Sequence, residues 1–215
     1  MNDRSFTAKA GNRAPILKAA AALFRRQGFH GTSIREIAEK AGVSLGNIYN
    51  HFPTKERLFA VLMEEYEREY FSPDQPIARV LAEIPFPENI EALGQASRAT
   101  VERFADYLRL IYVDMVEFDA RHIRKIFMAM RKRYSLIQAK TGTAVASDVD
   151  PVAAMMMVSF GFQNFFIMEK LFKVKGHYGM TEDNAIRLFA RVYRRGVTPE
   201  FTPSRRLNCK SKTRS

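Results

Sequence analysis

Residues 28–58, GFHGTSIREIAEKAGVSLGNIYNHFPTKERL, leave little freedom in what they can fold into, because start and stop signals for two helices fall within one short stretch. Ile34, Ile37, Ala38 and Ala41 recur at the spacing of a helix with one apolar face. Ser33 stands before that run and Glu36 three residues later, a capping box. Gly42 falls where the helix must end, since glycine enters the left-handed conformation at little cost. Ser44 can cap a second helix. There Ile48 and Phe52, four apart, share the inward side. A helix from about Arg13 to Gln27 precedes the pair, with Ile16, Leu17, Ala20, Leu23 and Phe24 inward and Arg25 and Arg26 outward. Another starts after Thr54, carries Leu58, Phe59, Leu62 and Tyr66, and runs to about Phe71.

Two short helices joined by a glycine-containing turn form the unit that lays its second helix in a DNA major groove. At 100° per residue, Gly46, Asn47 and Asn50 face away from the small core, with Tyr49 on one flank and His51 on the other. Leu45 can touch a thymine methyl, and Asn47 or Asn50 can pair with adenine. Gly46 is costly for a solvated helix, about 1 kcal/mol relative to alanine. It makes sense where a backbone must press close to a partner. Charge agrees: the chain carries 34 Lys+Arg against 23 Asp+Glu, a net of +11. Ten basic and four acidic residues fall in 1–57, and such a surface attracts phosphate. Charge of this kind also suits an ordinary soluble surface.

The pattern AGVSxGxxYxHFxxKExL is filled here by Ala41, Gly42, Val43, Ser44, Gly46, Tyr49, His51, Phe52, Lys55, Glu56 and Leu58. It resembles the N-terminal signature of the TetR family of transcriptional regulators, over about residues 14–62. The resemblance implies that Thr32 or Ser33 contacts phosphate, that Leu45, Gly46, Asn47 and Asn50 lie in the groove, and that Tyr49, His51 and Lys55 hold the backbone. Arg35 and Ser44 complete the expected DNA-binding set. Asn50 stands where an aromatic is common, and Leu45 where a polar residue is common.

The rest of the chain shows no convincing strand pattern. Pro73, Pro76, Pro85 and Pro87 punctuate a boundary around one short helix near residues 77–84. Leu93, Ser97, Val101, Phe104, Leu108, Ile111, Met115 and Phe118 form one stripe over one or two helices. Ile123, Phe127, Met130, Tyr134 and Ile137 form the next, with Arg121, Lys125 and Lys132 opposite. Asp150 and Pro151 open a third helix, and Thr181 caps a fourth ending near Gly196. The fold class is therefore all-α: a three-helix helix-turn-helix domain (residues 1–57) joined through its fourth helix to a helical ligand-binding and dimerisation domain (58–203). A basic tail (204–215) with Arg205, Arg206, Lys210, Lys212 and Arg214 is expected to be disordered.

Residues 152–168 contain no charge and are apolar around nearly the whole helix, short for a membrane span and interrupted by Ser159, Gly161, Gln163 and Asn164. The last helix is apolar on more than one side, leaving Arg187, Arg191, Arg194 and Arg195 as its wet strip. Helices apolar on two sides need two covers. A second copy of the chain is expected to supply one, through residues 152–173 and 182–195, with Met156, Phe160, Phe189, Val192 and Tyr193 in the interface. The family resemblance implies the same homodimer, a four-helix bundle.

The four histidines are scattered, and HExxH, a phosphate loop and GxSxG are missing, so an enzyme is not expected. One cysteine, Cys209, offers neither a disulfide nor a metal site. With no apolar leader in the first residues, the expectation is a cytoplasmic protein without cofactor or metal and without a membrane role. Seventeen Phe and ten Met suit a pliable apolar interior. An effector site is expected among Phe104, Leu108, Ile111, Asp114, Met115, Phe127, Met130 and Phe162, with Arg103 or Arg109 admitting an anionic group. Asp114 either orients a polar group of that ligand or is a helix-end carboxylate with a salt bridge. The expected partners are a double-stranded DNA operator, a second copy of the chain and a small, mostly apolar effector. The alternative is a ligand-independent DNA-binding protein whose C-terminal domain only dimerises.

Overall fold

The computed structural model describes residues 4–198, with side chains from Gly11 onward; the basic tail and Cys209 lie outside the described residues. The order is α1 (Arg4–Gln27), α2 (Ile34–Ala41), α3 (Leu45–His51), α4 (Lys55–Tyr70), α5 (Pro76–Glu83), α6 (Ile90–Arg103), α7 (Ala105–Glu117), α8 (Arg124–Thr141), α9 (Pro151–Phe166) and α10 (Glu182–Val197), with a π-helical turn, Ile167–Leu171, continuing α9. No strand occurs among the described residues.

The short N-terminal helices are fixed by their ends. Ser33 accepts from the Glu36 N–H while the Glu36 carboxylate takes the Ser33 N–H, so the capping box is complete. Gly42 stops α2 at φ 68°, where a Cβ would be strained. Ser44, Thr54, Asp150 and Thr181 each accept from the backbone N–H three residues on, opening α3, α4, α9 and α10. Helix α1 begins well before Arg13, because its first residues carry little apolar periodicity to mark them.

In the body, the long apolar stripe is split at Phe104, whose φ −103° and ψ 22° end α6 and start α7. The charge-free segment packs inward along one side: α9 lies against α6 and α8, burying Met155, Val158, Phe162, Phe165 and Phe166. It is long and apolar enough to cross a membrane by composition, and under half of that stretch is buried within the protomer. Gly94 of α6 permits the close approach of α9 and α10: a Cβ there would sit 2.8 Å from Ile186 and 2.9 Å from Phe162. Buried Glu169 closes the π turn, accepting from the Gly176 N–H and pairing with His177 at 2.8 Å.

Candidate DNA-reading head and effector cavity

Helix α3 presents its outer face to solvent. Leu45 is 39% and Tyr49 52% exposed; Ser44, Gly46 and Asn50 are also exposed, and Asn47 and His51 half-buried. Ile48 and Phe52 anchor the opposite face, each almost fully buried. A Cβ on Gly46 would meet nothing within 4 Å, so no packing within the protein calls for glycine there. Ser33 and Arg35 are exposed at the start of α2, on the same head.

Two members of the expected DNA-binding set are engaged elsewhere. Thr32 is 1% exposed and its hydroxyl donates to the Gly28 carbonyl at 2.7 Å, so it shapes the α1–α2 turn and leaves Ser33 as the exposed hydroxyl. The Lys55 ammonium donates to the carbonyls of Phe29 and Thr32 at 2.8 and 2.7 Å, and lies 4.3 Å from the centre of the Phe29 ring. The carbonyls just beyond the C-terminus of α1 form a negative end that attracts a cation. Lys55 therefore clamps α4 to the α1–α2 connection instead of reaching outward.

The head is tied to the body through α7. The Glu117 carboxylate accepts from the Phe29 and His30 N–H groups at 2.9 and 2.7 Å. Beside it, Phe118 stacks on Phe59 at 4.7 Å and packs edge-on against Phe29 at 4.5 Å. Arg25 is not simply outward: it is half-buried and ion-paired with Asp106 of α7. Burial lowers its pKa. Asp114 is fully buried and closes the end of α7, accepting from the backbone N–H groups of His122 and Ile123 and pairing with the His122 ring. Asp119 and Ala120, at φ 51° and 55°, make the left-handed turn that brings those donors back. Asp114 is thus a helix-end carboxylate with a histidine partner, and the reading in which it orients a ligand is corrected.

A cavity of about 640 Å³ lies between the end of α4 and helices α5 to α9, within the range of ligand sites. Five expected residues line it: Leu108, Ile111, Met115, Phe127 and Met130. Phe104, Asp114 and Phe162 do not. Phe104 is buried under Tyr70, and Phe162 packs against Gly94, Phe189 and Tyr193 on the far side of α9. The sequence stripe marks an inward face without saying which inward residues meet a neighbour and which meet a void. Phe160, expected at a dimer interface, instead lines the cavity, its ring 6.2 Å from Phe127. Arg103 pairs with Glu69 and Arg109 with Asp106, and neither lines the cavity. The sequence reading missed Tyr70, Gln75, Thr100, Tyr107, Arg133 and Gln163, which do. Burial raises the Tyr70 and Tyr107 phenols well above their usual pKa, so both stay neutral donors. Tyr70 donates to Gln163 across the wall. No local motif joins these residues, which come from separate helices.

On the remaining side, Met157 and Val192 are 56% and 57% exposed, with Met156, Phe189 and Tyr193 half-buried beside them.

Residues 16–62 match the family described as bacterial regulatory proteins, tetR family. The transcriptional repressor KstR2 of Rhodococcus jostii is 32% identical over 94 residues, 44% of this chain and 40% of that protein. The regulator UidR of Escherichia coli K12 is 32% identical over 115 residues, 51% of this chain and 58% of that protein. The chain thus spans about half the length of these curated relatives. Similarity of fold extends further. A ketosteroid transcriptional regulator, KstR2 of Mycobacterium tuberculosis, superposes with a TM-score of 0.59 at 18% identity, covering 92% of this chain and 96% of that one. A TetR family transcription regulator of Marinobacter aquaeolei does so at 0.58 and 16%, covering 91% and 98%. Residues 16–62 thus carry the sequence of the tetR family's N-terminal region, and the described helices share their fold with solved regulators of that kind.

Proposed function

We propose that the protein is a cytoplasmic repressor that binds a near-palindromic operator as a homodimer and releases it when a small, mostly apolar effector enters the cavity. The observation that carries the DNA half is the outer face of α3: Leu45, Gly46, Tyr49 and Asn50 stand exposed on a helix whose other side is locked into the head. Asn47 and His51 flank that face, and Ser33, Arg35 and Ser44 supply the phosphate side. Residues 1–57 serve as the reader and 58–203 as the sensor and dimerisation body. The exposed apolar residues of α9 and α10 give the body a surface for a second copy, and a two-fold dimer matches two half-sites. R. jostii KstR2 is named as a repressor, which favours repression here.

The cavity favours ligand control over the ligand-independent alternative. Two helices run from its wall to the reading head. Helix α4 ends at the wall with Tyr70 and begins at the Lys55 clamp. Helix α7 lines it with Leu108, Ile111, Tyr112 and Met115 and ends on Glu117, which holds the α1–α2 connection. A ligand that displaces either helix alters the separation of the two heads. An effector shifts the equilibrium only through its differential affinity for the two arrangements.

The test is footprinting of the purified protein on fragments recovered by genome-wide mapping of bound sites. The expected result is a near-palindrome with two protected half-sites about 34–36 Å apart, or a multiple of that. No protected site, or a single unpaired half-site, overturns the proposal.

A further inference from the structure

The cavity wall holds one charged side chain, Arg133 of α8. On the same helix Arg131 pairs with Asp150 at 2.6 Å and Arg124 with Asp119 at 3.0 Å. Arg133 makes no ion pair among the described residues, and no carboxylate lines the cavity. Its guanidinium lies over the ring of Phe71, 4.3 Å from the centroid, and Phe71 is itself part of the wall. The ring fixes the guanidinium at the cavity edge while leaving its in-plane N–H groups available.

A second observation points to a ligand with polar groups. Gln75 and Thr100, 4% and 2% exposed, both line the cavity, and the Gln75 Oε1 and Thr100 Oγ1 atoms have no hydrogen-bond partner. Buried polar atoms are ordinarily satisfied. Gln75 lies just past Phe71, across a turn closed by the Gln75 N–H to the Ser72 carbonyl, so it and the Phe71–Arg133 pair lie near the α4–α5 connection. The remaining wall is apolar and aromatic.

We propose that the cavity takes a largely apolar monocarboxylic acid, its carboxylate bound by the Arg133 guanidinium and its apolar body lying between α7, α8 and α9. The inference rests on the effector-cavity reading above. A planar carboxylate matches a guanidinium with two parallel hydrogen bonds. A single cation suits a single negative charge. The aromatic wall alone would also accept an organic cation, but Arg133 repels one and no carboxylate is present to receive it.

Calorimetric titration of the full-length protein with three probes of equal chain length tests this: dodecanoate, dodecan-1-ol and dodecyltrimethylammonium, each below its aggregation concentration. Dodecanoate should bind roughly tenfold or more tightly than the alcohol, the size of one charge-assisted contact. The cation should bind weakest. Arg133→Gln should remove the advantage of the acid and leave affinity for the alcohol unchanged. That second measurement shows the cavity still formed. The inference is overturned if the alcohol or the cation binds as well as the acid, or if Arg133→Gln retains the preference; the effector cavity itself then stands. If none of the three binds, the effector reading fails and this inference with it.

Discussion

The N-terminal head and the body of this protein are held together over different ranges of sequence. In the head, the helix ends are closed by partners within a few residues: Ser33 and Glu36 satisfy each other, Ser44 caps α3, and Thr32 bonds to Gly28. Its core residues Ile16, Phe24, Ile37 and Ile48 are each fully buried. Such a unit is shaped largely by its own local bonds, which suits the proposed DNA-reading surface. In the body, long helices bring residues from distant parts of the chain around a void, and Gln75 and Thr100 remain without partners in its wall. A body of that kind has room for more than one packing. A locally braced head and a hollow body are what the proposed ligand-controlled DNA reader needs.

The harshest way to break the contrast is to disable the body while leaving the head intact. Met157→Glu with Val192→Glu places charges on the exposed apolar face and leaves the Phe162–Phe189 packing within the protomer untouched. Sedimentation should show monomers, and operator affinity should fall by about a hundredfold or more, because the second head no longer binds at high effective concentration. A dimeric double variant would put the interface elsewhere. The complementary change strikes the head alone. Tyr49→Ala should weaken binding to all DNA sequences alike. Asn50→Ala should relax preference at one base pair by about 1–3 kcal/mol. Competition assays across operator variants separate the two, and neither change should alter thermal stability.

The link between the regions can be cut separately. Glu117→Gln keeps an acceptor facing the Phe29 and His30 N–H groups but removes its charge. Stability should drop by about 1–2 kcal/mol in denaturant titration, and effector binding should release DNA less completely. Full release by an unchanged effector affinity would assign the coupling to α4 alone.

Gly46→Ala acts on a smaller scale. The site is open, so alanine should stabilise α3 by up to about 1 kcal/mol. If the backbone lies against DNA, operator binding should weaken although the protein becomes more stable. Smallest is the pH response of the capping box. The Ser33 backbone N–H, followed by Gln27 and the Ser33 hydroxyl, holds the Glu36 carboxyl below its usual pKa of 4.5. A depressed carboxylate stabilises the fold above its unfolded pKa and loses that contribution as pH falls through the folded value. Glu36→Gln should therefore flatten the acid side of the stability profile, measured by thermal melts between pH about 3 and 6.

The head was legible in the chain because its signals are local. Ser33 with Glu36, Gly42, Ser44 and Thr54 each name a boundary through a bond to a residue at most four positions away. The exposed face of α3 follows from the placement of Ile48 and Phe52. The inward stripes of α7 and α8 were legible too, since Leu108, Ile111 and Met130 recur at helical spacing. Lys55 could not be placed from sequence, because its side-chain length lets it reach either DNA or the carbonyls of Phe29 and Thr32, and its position in the structure comes from the packing of α4 against α1.

By itself the sequence determined an all-α chain, the limits of most helices, the helix-turn-helix and the outward face of α3, because capping, periodicity and glycine conformation act over one or two turns. The tertiary structure decided which inward residues meet a void. It turned Phe160 to the cavity, Phe162 to Gly94 and Asp114 to His122, and it left Arg133 at the rim. Those outcomes depend on how far apart neighbouring helices stand and how they are rotated about their axes. These quantities are set by the summed packing of many side chains across elements distant in sequence, and no single stretch of the chain records them.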